Sequence, residues 1–580
     1  MKRVLAGVGV MAVSVCAWLS AAAQEAQPQD GRPVLRMAYF IPADREPEPD
    51  RQARLDRVMT EVQRFYKEGM AQNGYAGMGF ELDRDGTGAL RIFEVRGKLP
   101  MRGYGRNDSA KVRQEVKDVL AGQGLDIDRE VVVIFQLLLE WQDGKATELG
   151  PFVGGRGAWP GYGTAWVYDD EKLDAALLPS KEPGGYYHAP CTLGQFNTHY
   201  IGGVAHELGH AFGLPHDCQS EADYAVKGAS LMGSGNHVYG KNLRGEGKGA
   251  FLSAASALPL SLHPLFTGKR VKATPATSRL TALEAAFAEG TLTLAGRLEG
   301  GDAVKGVVAL NLLLDKPGDY HSVGWTCPVA PDGRFRLAVR ELKPGNYGLF
   351  LRAFTATGVF KTFEFRYAVD GQGIPDLAPF RGVILLLGAQ DAFKAEDKAL
   401  LRRIAAEAGK VLPAGSKVLA KLTHLDKLLS ESAPVVLADV RANTVLLGDV
   451  AYESASVGWG EPLRNQVLAG ENSLQIEIGE RFYSSGLFAH APSSYVYALD
   501  GKWTRFTAEC GLQNGHYGSV VFVVKGDSKE LYRSGVDRGL ITKSLQLSVK
   551  GVRRLELITE DAGDGNGGDW GVWIEPRLLR

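Results

Sequence analysis

The spacing of apolar residues in the first half of the chain alternates between helical and strand periods. In one segment the apolar residues recur at helical spacing, which predicts a helix with a single buried face. They are Leu55, Val58, Met59, Val62, Phe65 and Tyr66. Residues 131–135 form an unbroken β-branched and aromatic run, which is typical of a strand covered on both faces. Apolar segments at residues 34–40, 80–82 and 90–95 predict three more strands. We therefore expect an α+β domain over residues 33–270.

Beyond residue 278 the pattern changes to short alternating strands separated by turns. The strand-like segments are residues 292–298, 307–314, 335–339, 347–354 and 363–367. Such strands predict an all-β, immunoglobulin-like sandwich for residues 278–372. This region contains no cluster of His, Cys or acidic residues, so the sequence favours a spacer or packing role for it.

Two amphipathic helices are predicted next, in a helical connector that covers residues 373–433. Their apolar positions are Leu400, Leu401, Ile404, Ala405, Ala408 and Val411, and then Leu422, Leu425, Leu428 and Leu429. Short strands and glycine-rich turns return over residues 435–580 and predict a second β-sandwich. A chain of 580 residues is too long for one hydrophobic core, so we predict a multidomain protein.

The N-terminus has the layout of a secretory signal peptide. Met1, Lys2 and Arg3 precede an apolar stretch over residues 4–19, and small residues follow directly. The alternative is a membrane anchor, but the stretch is short for a span. We therefore predict a signal peptide at residues 1–23, a secreted or periplasmic protein, and no membrane span in the mature chain.

The balance of charged residues bears on the class of binding partner. The 66 Lys and Arg residues balance 67 Asp and Glu residues, which argues against a nucleic-acid partner.

Of the five cysteines, Cys191 and Cys218 flank the central histidine motif, and an exported protein can keep a disulfide. Their spacing leaves two alternatives open, a disulfide between them or two free thiols.

Residues 153–168 are rich in glycine and aromatic residues, a composition that suits the edge of a sheet. The free backbone groups of an edge strand can bind an extended peptide by strand addition. We expect such a substrate-binding edge strand at Gly163, Thr164, Ala165 and Trp166. The alternative is a surface loop.

The residues that carry chemistry are concentrated in one segment, residues 201–217. His206 and His210 are one helical turn apart, so both imidazoles can reach one tetrahedral Zn²⁺. Glu207 would lie beside the open coordination position, where a carboxylate can accept a proton from water. Gly213 can adopt positive φ and end the helix, which would return His216 as a third ligand.

This segment resembles the elongated zinc-binding signature of the metzincin metallopeptidases. Asp217 after the third histidine is similar to the adamalysin-like branch, and Met232 fits the methionine turn that follows the signature in these families. The resemblance implies a zincin fold, one catalytic Zn²⁺ and Glu207 as the general base. His188, His199, His237 and Tyr239 are further candidates for positions near the metal, with surface packing as the alternative.

The C-terminal region resembles the NPCBM-type module, a carbohydrate-binding β-sandwich with a jelly-roll-like fold. The resemblance rests on segments at residues 437–440, 458–460, 482–491, 522–527, 531–535 and 561–573. Trp459, Trp570 and Trp573 are candidates for stacking on sugars, with a core role as the alternative. The acidic turn at residues 561–566 is a candidate Ca²⁺ ligand set, with a plain turn as the alternative.

Together these observations predict a secreted zinc endopeptidase that acts on proteins or on glycoproteins such as mucins. Two other classes stay open. One is a catalytically silent glycan-binding or adhesion protein with a structural zinc. The other is a glycoside hydrolase, for which no carboxylate pair can be placed from the sequence.

Overall fold

The computed structural model describes residues 31–580. It leaves out residues 106–107, 149–153, 159–160, 273–275, 301–302, 317, 431–432, 468–473, 480, 515–517, 540–541 and 564. The predicted signal peptide lies outside the described residues. No helix in the described part of the chain has both the length and the apolarity that crossing a membrane requires.

The first part of the chain contains a five-stranded main sheet with helices packed against it, and six further short strands that pair outside this sheet. Its strands are β1 (Arg36–Ile41), β2 (Ile92–Arg96), β3 (Val131–Gln136), β4 (Leu139–Gln142), β5 (Lys145–Glu148), β6 (Gly154–Ala158), β7 (Tyr162–Tyr168), β8 (Pro183–Tyr187), β9 (Ala189–Thr192), β10 (Ala229–Ser230) and β11 (Ala250–Phe251). Its helices are α1 (Arg51–Gln72), α2 (Ser109–Gly122), α3 (Leu193–Ala211), α4 (Glu221–Lys227), α5 (Ala254–Leu260) and α6 (Pro264–Thr267).

The strand order in the main sheet is β2-β1-β3-β7-β6, with β6 antiparallel to β7 and the other pairs parallel. The predicted helix is confirmed as α1, and β3 is buried along its whole length, as its β-branched run predicts. The strand expected at residues 80–82 is not formed. Only Leu82 makes a bridge there, to Leu35.

The prediction of an edge strand at Gly163, Thr164, Ala165 and Trp166 is wrong. These residues lie in β7, which is paired with β3 on one side and with β6 on the other. The chain folds the glycine-rich stretch into a hairpin, so the preceding strand, β6, takes the edge. No described strand pairs with the outer side of β6.

The second part of the chain is two antiparallel sheets around an apolar core. Its strands are β12 (Arg279–Ala288), β13 (Thr291–Glu299), β14 (Val304–Leu313), β15 (Ser322–Pro328), β16 (Arg334–Val339), β17 (Gly345–Thr355) and β18 (Phe360–Val369). The strand orders are β12-β13-β16 and β15-β14-β17-β18. Inward-facing leucines, valines and aromatic residues of both sheets form the core between them.

An apolar cluster joins this second part to the first. Ala255 and Leu258 of α5 pack against Val308, Leu310 and Phe354 of the sandwich. The close fit depends on small residues of the sandwich sheet at this point, because a Cβ at Gly306 would lie 2.5 Å from Leu258. The two parts therefore share a closely packed interface.

Three helices follow, α7 (Ala378–Lys394), α8 (Lys398–Val411) and α9 (Lys417–Ser430). The last two are the predicted amphipathic helices. The first escaped prediction because its apolar residues surround the helix and leave no periodic polar face. Ala389, Leu401, Ala408, Leu422 and Leu425 form the core among the three.

The C-terminal part is a β-sandwich of two five-stranded sheets. Its strands are β19 (Thr444–Leu446), β20 (Ser454–Ser456), β21 (Ile476–Ile478), β22 (Arg481–Tyr483), β23 (Gly486–His490), β24 (Ser493–Ala498), β25 (Arg505–Leu512), β26 (Val520–Gly526), β27 (Lys529–Arg533), β28 (Lys543–Ser548), β29 (Arg554–Asp561) and β30 (Trp570–Leu579). One sheet has the order β19-β30-β25-β28, with β23 also paired to β30, and the other has the order β20-β24-β29-β26-β27. The chain is thus multidomain and rich in β-structure toward its C-terminus.

Candidate metal centre

Helix α3 carries the histidine motif and has well-defined ends. At its start, Thr192 and Gln195 form a capping box, with both reciprocal hydrogen bonds at 3.1 Å. At its end, Gly213 adopts a φ of 84°, and the backbone N–H of Leu214 donates to the carbonyl oxygen of Gly209 at 3.0 Å. This confirms the turn predicted at Gly213, and the chain returns toward the helix after it.

The helix lies unusually close to the sheet because three glycines line the strands beneath it. A Cβ at Gly155 would lie 2.1 Å from the carbonyl oxygen of Glu207. Cβ atoms at Gly157 and Gly163 would lie 2.2 and 2.0 Å from the carbonyl oxygen of Ala211. Any side chain at these positions would push the helix away from β6 and β7. The glycines of the edge strand therefore set its distance from the motif.

His206, His210 and His216 converge on one point. Their ligand atoms all lie within 4.8 Å of one another, and the Nε2 atoms of His210 and His216 are 3.1 Å apart. The first two come from one face of α3 and the third comes from the segment after the Gly213 turn, as the spacing predicts. Among the described residues, this is the one group of three or more His, Cys, Asp or Glu side chains placed to hold a metal ion.

Backbone carbonyl groups fix the orientation of the first two rings. The Nδ1 of His206 lies 2.7 Å from the carbonyl oxygen of Leu231, and the Nδ1 of His210 lies 2.8 Å from that of Leu214. A carbonyl oxygen can only accept, so each Nδ1 carries the hydrogen and donates it. Each Nε2 therefore keeps a free lone pair toward the centre, which is the arrangement that metal-binding histidines use.

The third ring receives its partner from the second part of the chain. The Nδ1 of His216 lies 2.7 Å from Oδ1 of Asp319, and the ring of Tyr320 packs on His216 with 3.8 Å between centroids. Both residues precede β15 of the sandwich. The sequence favours a spacer or packing role for this region, and the structure adds that its loop supports one ring of the three-histidine centre. No motif in the sequence indicated this role, because these residues stand alone in their own segment.

Burial makes the histidines good metal ligands at neutral pH. Loss of solvation, with a smaller contribution from His210, lowers the pKa of His206 to about 3. Loss of solvation also lowers the pKa of His210. Neutral imidazoles are the form that binds metal, so no proton has to leave these two rings when an ion enters.

Glu207 follows the first histidine in α3 and is partly buried. Loss of solvation raises the pKa of its carboxyl group to about 7. The negative charge of Glu207 in turn raises the pKa of Tyr320, after the larger effect of burial, so the two side chains lie within electrostatic reach of each other. A carboxyl group of this kind is suited to proton transfer near neutral pH.

Met232 lies directly under α3. It is fully buried, and a Cβ at Gly209 would lie 2.3 Å from its sulfur atom. The turn that contains it also supplies the Leu231 carbonyl group to His206. Met232 therefore sits in the turn that supports the metal centre from below.

Asp217 ties the third histidine to the surrounding structure. Its buried carboxylate accepts hydrogen bonds from Ser230 at 3.2 Å, Ser253 at 2.6 Å and Ser256 at 2.7 Å. Its backbone N–H donates to the carbonyl oxygen of Met232 at 3.2 Å. The carboxylate thus links the segment after α3 to the methionine turn and to α5.

The two cysteines near the motif do not form a disulfide. Cys191 and Cys218 are both free thiols, which decides between the two alternatives that the sequence left open. Cys218 is held elsewhere, because its Sγ donates to the carbonyl oxygen of Tyr320 at 3.0 Å and its backbone N–H to that of Ser322 at 2.6 Å. It therefore adds to the contact between the metal centre and the sandwich.

The further candidates for positions near the metal, Tyr239, His199 and His237, do not join the three-histidine cluster. Tyr239 is buried away from the metal centre, and its hydroxyl group donates to Glu61 at 2.9 Å. His199 and His237 are instead neighbours, with 3.3 Å between their Nδ1 atoms.

The tryptophans of the C-terminal part fall into two groups. Trp573 is fully buried in the core of the sandwich, so its prediction as a sugar-stacking residue is wrong. Strand β30 places its side chain between the sheets, where it meets Phe522. Trp459 is half-buried and packs beside Trp570, with ring centroids 5.1 Å apart. Trp570 itself is buried in a second apolar cluster of this sandwich, so Trp459 is the partly exposed member of the pair.

The candidate Ca²⁺ segment at residues 561–566 is only partly described, because Asp564 lies outside the described residues. Gly563 and Gly565 both adopt a φ of 89°, which is typical of a tight turn.

The fold and the site together define a multidomain protein with a three-histidine centre and a β-sandwich at its C-terminus. Residues 443–579 match the NPCBM/NEW2 domain, which confirms the resemblance predicted from the C-terminal motifs. A Renibacterium salmoninarum protein named as an endo-alpha-N-acetylgalactosaminidase is 30% identical over 131 residues, which are 21% of this chain. The match spans only 9% of that relative's length.

The fold is also similar to that of OgpA from Akkermansia muciniphila. The wild-type OgpA structure is 23% identical with a TM-score of 0.50, and the match covers 59% of this chain and 95% of OgpA. A catalytically inactive OgpA in complex with an O-glycopeptide substrate is 23% identical with a TM-score of 0.49, covering 58% and 93%. This likeness shows a shared fold.

Proposed function

We propose that this protein is a secreted zinc endopeptidase of the metzincin type. The observation that carries the proposal is the geometry of His206, His210 and His216. Their Nε2 atoms converge while hydrogen bonds occupy every Nδ1. A nitrogen-only set of three imidazoles fits zinc in a catalytic site, where a fourth position stays open. The sheet with its antiparallel edge strand, and Met232 beneath the helix, support the metzincin assignment.

The chain's own groups supply the acid–base chemistry. Zinc bound at this centre would lower the pKa of a coordinated water to about 7 and polarise the scissile carbonyl group. Glu207 accepts a proton from the attacking water and delivers it to the nitrogen of the leaving amine. Asp319 accepts a hydrogen bond from the Nδ1–H group of His216 and holds that ring in the correct tautomer.

The edge strand β6 offers a place for an extended peptide beside α3. Its outer backbone groups can pair with a substrate strand, and its glycines keep this strand close to Glu207. We therefore assign substrate binding to residues of β6, instead of to Gly163, Thr164, Ala165 and Trp166.

We propose further that the natural substrates are glycoproteins such as mucins. The NPCBM/NEW2 match at residues 443–579 and the fold shared with OgpA, which has been solved with an O-glycopeptide substrate, support this. A glycan-binding module would raise the local concentration of the peptidase at a glycosylated surface.

The catalytic assignment is tested with Glu207→Gln, which keeps the shape of the side chain and removes the base. The variant should retain the zinc bound by His206, His210 and His216 and lose at least a hundredfold in the rate of peptide cleavage. Undiminished cleavage at matched zinc content would refute the assignment. A silent adhesion protein with structural zinc predicts no cleavage by the wild type either.

The substrate class is tested with one glycopeptide in O-glycosylated and enzymatically deglycosylated forms. Mass spectrometry should find peptide-bond cleavage, faster for the glycosylated form, and no release of free sugar. Sugar release with an intact peptide would instead indicate a glycoside hydrolase. Equal cleavage of both forms would remove the glycoprotein proposal and leave the peptidase in place.

A further inference from the structure

A second pair of imidazoles faces each other beside the metal centre. The Nδ1 atoms of His199 and His237 are 3.3 Å apart. His199 lies in α3 two helical turns before His206, at about 10 Å of helical rise. His237 ends the short 3₁₀ helix Gly235–His237, which follows the methionine turn.

The spacing of this pair is that of two ligands on one ion. Two nitrogen atoms that each lie ~2.05 Å from a tetrahedral zinc are ~3.3 Å apart. The corresponding separation between His210 and His216, in the first centre, is 3.1 Å. The ring centroids of His199 and His237 are 5.4 Å apart, the same separation as between His206 and His216.

Neighbouring residues hold the rings of His199 and His237 in place. Tyr187 stacks on His199 with 3.8 Å between centroids and an angle of 11° between the ring planes. On the other side, the segment that carries His237 lies directly on α3, because a Cβ at Gly202 would come within 2.5 Å of the carbonyl oxygen of Asn236. The gap between the two Nδ1 atoms is therefore set by the packing of the helix and the 3₁₀ turn.

The ligand chemistry of the pair favours a transition metal, although the nearest charged side chains, Lys241 and Arg244, are positive and oppose any cation. The groups that act on His199 are His237, Lys241, His188 and Arg244, and those that act on His237 are His188 and Lys241. Loss of solvation lowers the pKa of both rings, that of His199 to about 4, so both are neutral near pH 7. No carboxylate is among these groups in the described structure. A set of imidazoles without oxygen ligands selects zinc, nickel or copper over calcium or magnesium.

We propose that His199 and His237 form a second binding site for a divalent transition-metal ion such as Zn²⁺ or Ni²⁺. The site goes beyond the proposed function and holds an ion whether or not the first centre is catalytic.

The test is a calorimetric titration of the full chain, metal-free and without a histidine tag, with Zn²⁺. The wild type should bind two zinc ions per chain. His199→Ala and His237→Ala should each bind one. A variant with His206→Ala and His210→Ala should keep the second site. One equivalent in the wild type at millimolar zinc would overturn the proposal, as would a second equivalent that survives in both His199→Ala and His237→Ala.

Two further variants protect the test from folding artefacts. His199→Gln and His237→Gln preserve size and polarity, and each should also lose the second equivalent while its near-ultraviolet circular dichroism matches the wild type.

A separate variant tests the position of the ion. Lys241→Ala removes a positive charge next to the pair and should tighten binding there without changing the first site. Unchanged affinity in Lys241→Ala would contradict the placement of the ion.

Discussion

The Nδ1 of His216 hydrogen-bonds Oδ1 of Asp319 at 2.7 Å, although the two residues are 103 positions apart. The histidine belongs to the part of the chain that carries the motif, and the aspartate belongs to the sandwich that follows it. The apolar contact between α5 and the sandwich holds the two parts in register. The three-histidine cluster is therefore supported by a module that contributes none of the three histidines.

Asp319→Asn should weaken zinc binding by about tenfold to a hundredfold, because an amide oxygen orients the His216 ring less strongly than a carboxylate does. The dissociation constant can be measured by competition with a chromophoric chelator. Asp332→Asn is the matched control, since this carboxylate is exposed on the same sandwich and contacts only its own turn. Equal affinities of all three proteins would show that the hydrogen bond does not support the site.

Tyr320 should act through its ring. The side chain is 51% exposed, yet its ring packs 3.8 Å from that of His216. An aromatic contact of this kind is worth about 0.5–1.5 kcal/mol, so Tyr320→Ala should weaken zinc binding by roughly threefold to tenfold. Tyr320→Phe keeps the ring and should bind zinc like the wild type. Loss of affinity in the phenylalanine variant would show that the hydroxyl group matters instead.

The sequence predicted the convergence of the three histidines because they are close along the chain. His206 and His210 share one helical turn, and Gly213 ends the helix and allows the chain to bring back His216. Asp319 and Tyr320 could not be found in the same way. Their role depends on how two modules pack, and no periodic pattern or motif in their own segment reports that.

The same limit explains the errors at the sheet edge and in the C-terminal sandwich. The composition of residues 153–168 correctly indicated an edge, but whether one strand or a hairpin forms there depends on the turn within it. The Trp573 side chain occupies the core because of the register of β30, while Trp570 is buried in a second cluster and only Trp459, which packs beside it, stays partly exposed. Aromatic content alone does not distinguish these positions.

The glycines of β6 provide a test of how closely the helix must approach the edge strand. Gly157→Ala would place a Cβ 2.2 Å from the Ala211 carbonyl oxygen, so α3 must shift. We expect a loss of about 1–3 kcal/mol in the free energy of unfolding, together with weaker zinc binding. Gly154→Ala is the matched control, because nothing lies within 4 Å of a Cβ at that position of the same strand. The two variants can be compared by thermal unfolding, and equal midpoints would contradict the close packing of α3 on β6.

The two groups of tryptophans should separate stability from glycan binding. Trp573→Ala removes a large buried side chain and should cost about 3–5 kcal/mol of stability. Trp459→Ala should leave the unfolding midpoint nearly unchanged and reduce binding on a glycan array. Retained glycan binding in Trp459→Ala would place the sugar site elsewhere on the sandwich.

His263 should make the stability of the first part of the chain depend on pH. Its side chain is fully buried and accepts the backbone N–H of Leu265 at the start of α6, and burial lowers its pKa to about 3. In the unfolded chain its pKa is about 6.5. Between these two values the unfolded state binds one more proton than the folded state, so stability rises with pH and is lost as the pH falls. The slope for one such group is about 1.4 kcal/mol per pH unit.

His263→Asn keeps a side-chain acceptor at this helix start and removes the titrating group. Thermal unfolding between about pH 6.5 and pH 4 should show a shallower decline for the variant, because the proton uptake of His263 is absent from its unfolded state. A constant offset between the two curves would reflect only the change in packing, since packing does not depend on pH. The difference in slope therefore isolates the buried histidine, and parallel curves would show that His263 is already protonated in the folded protein.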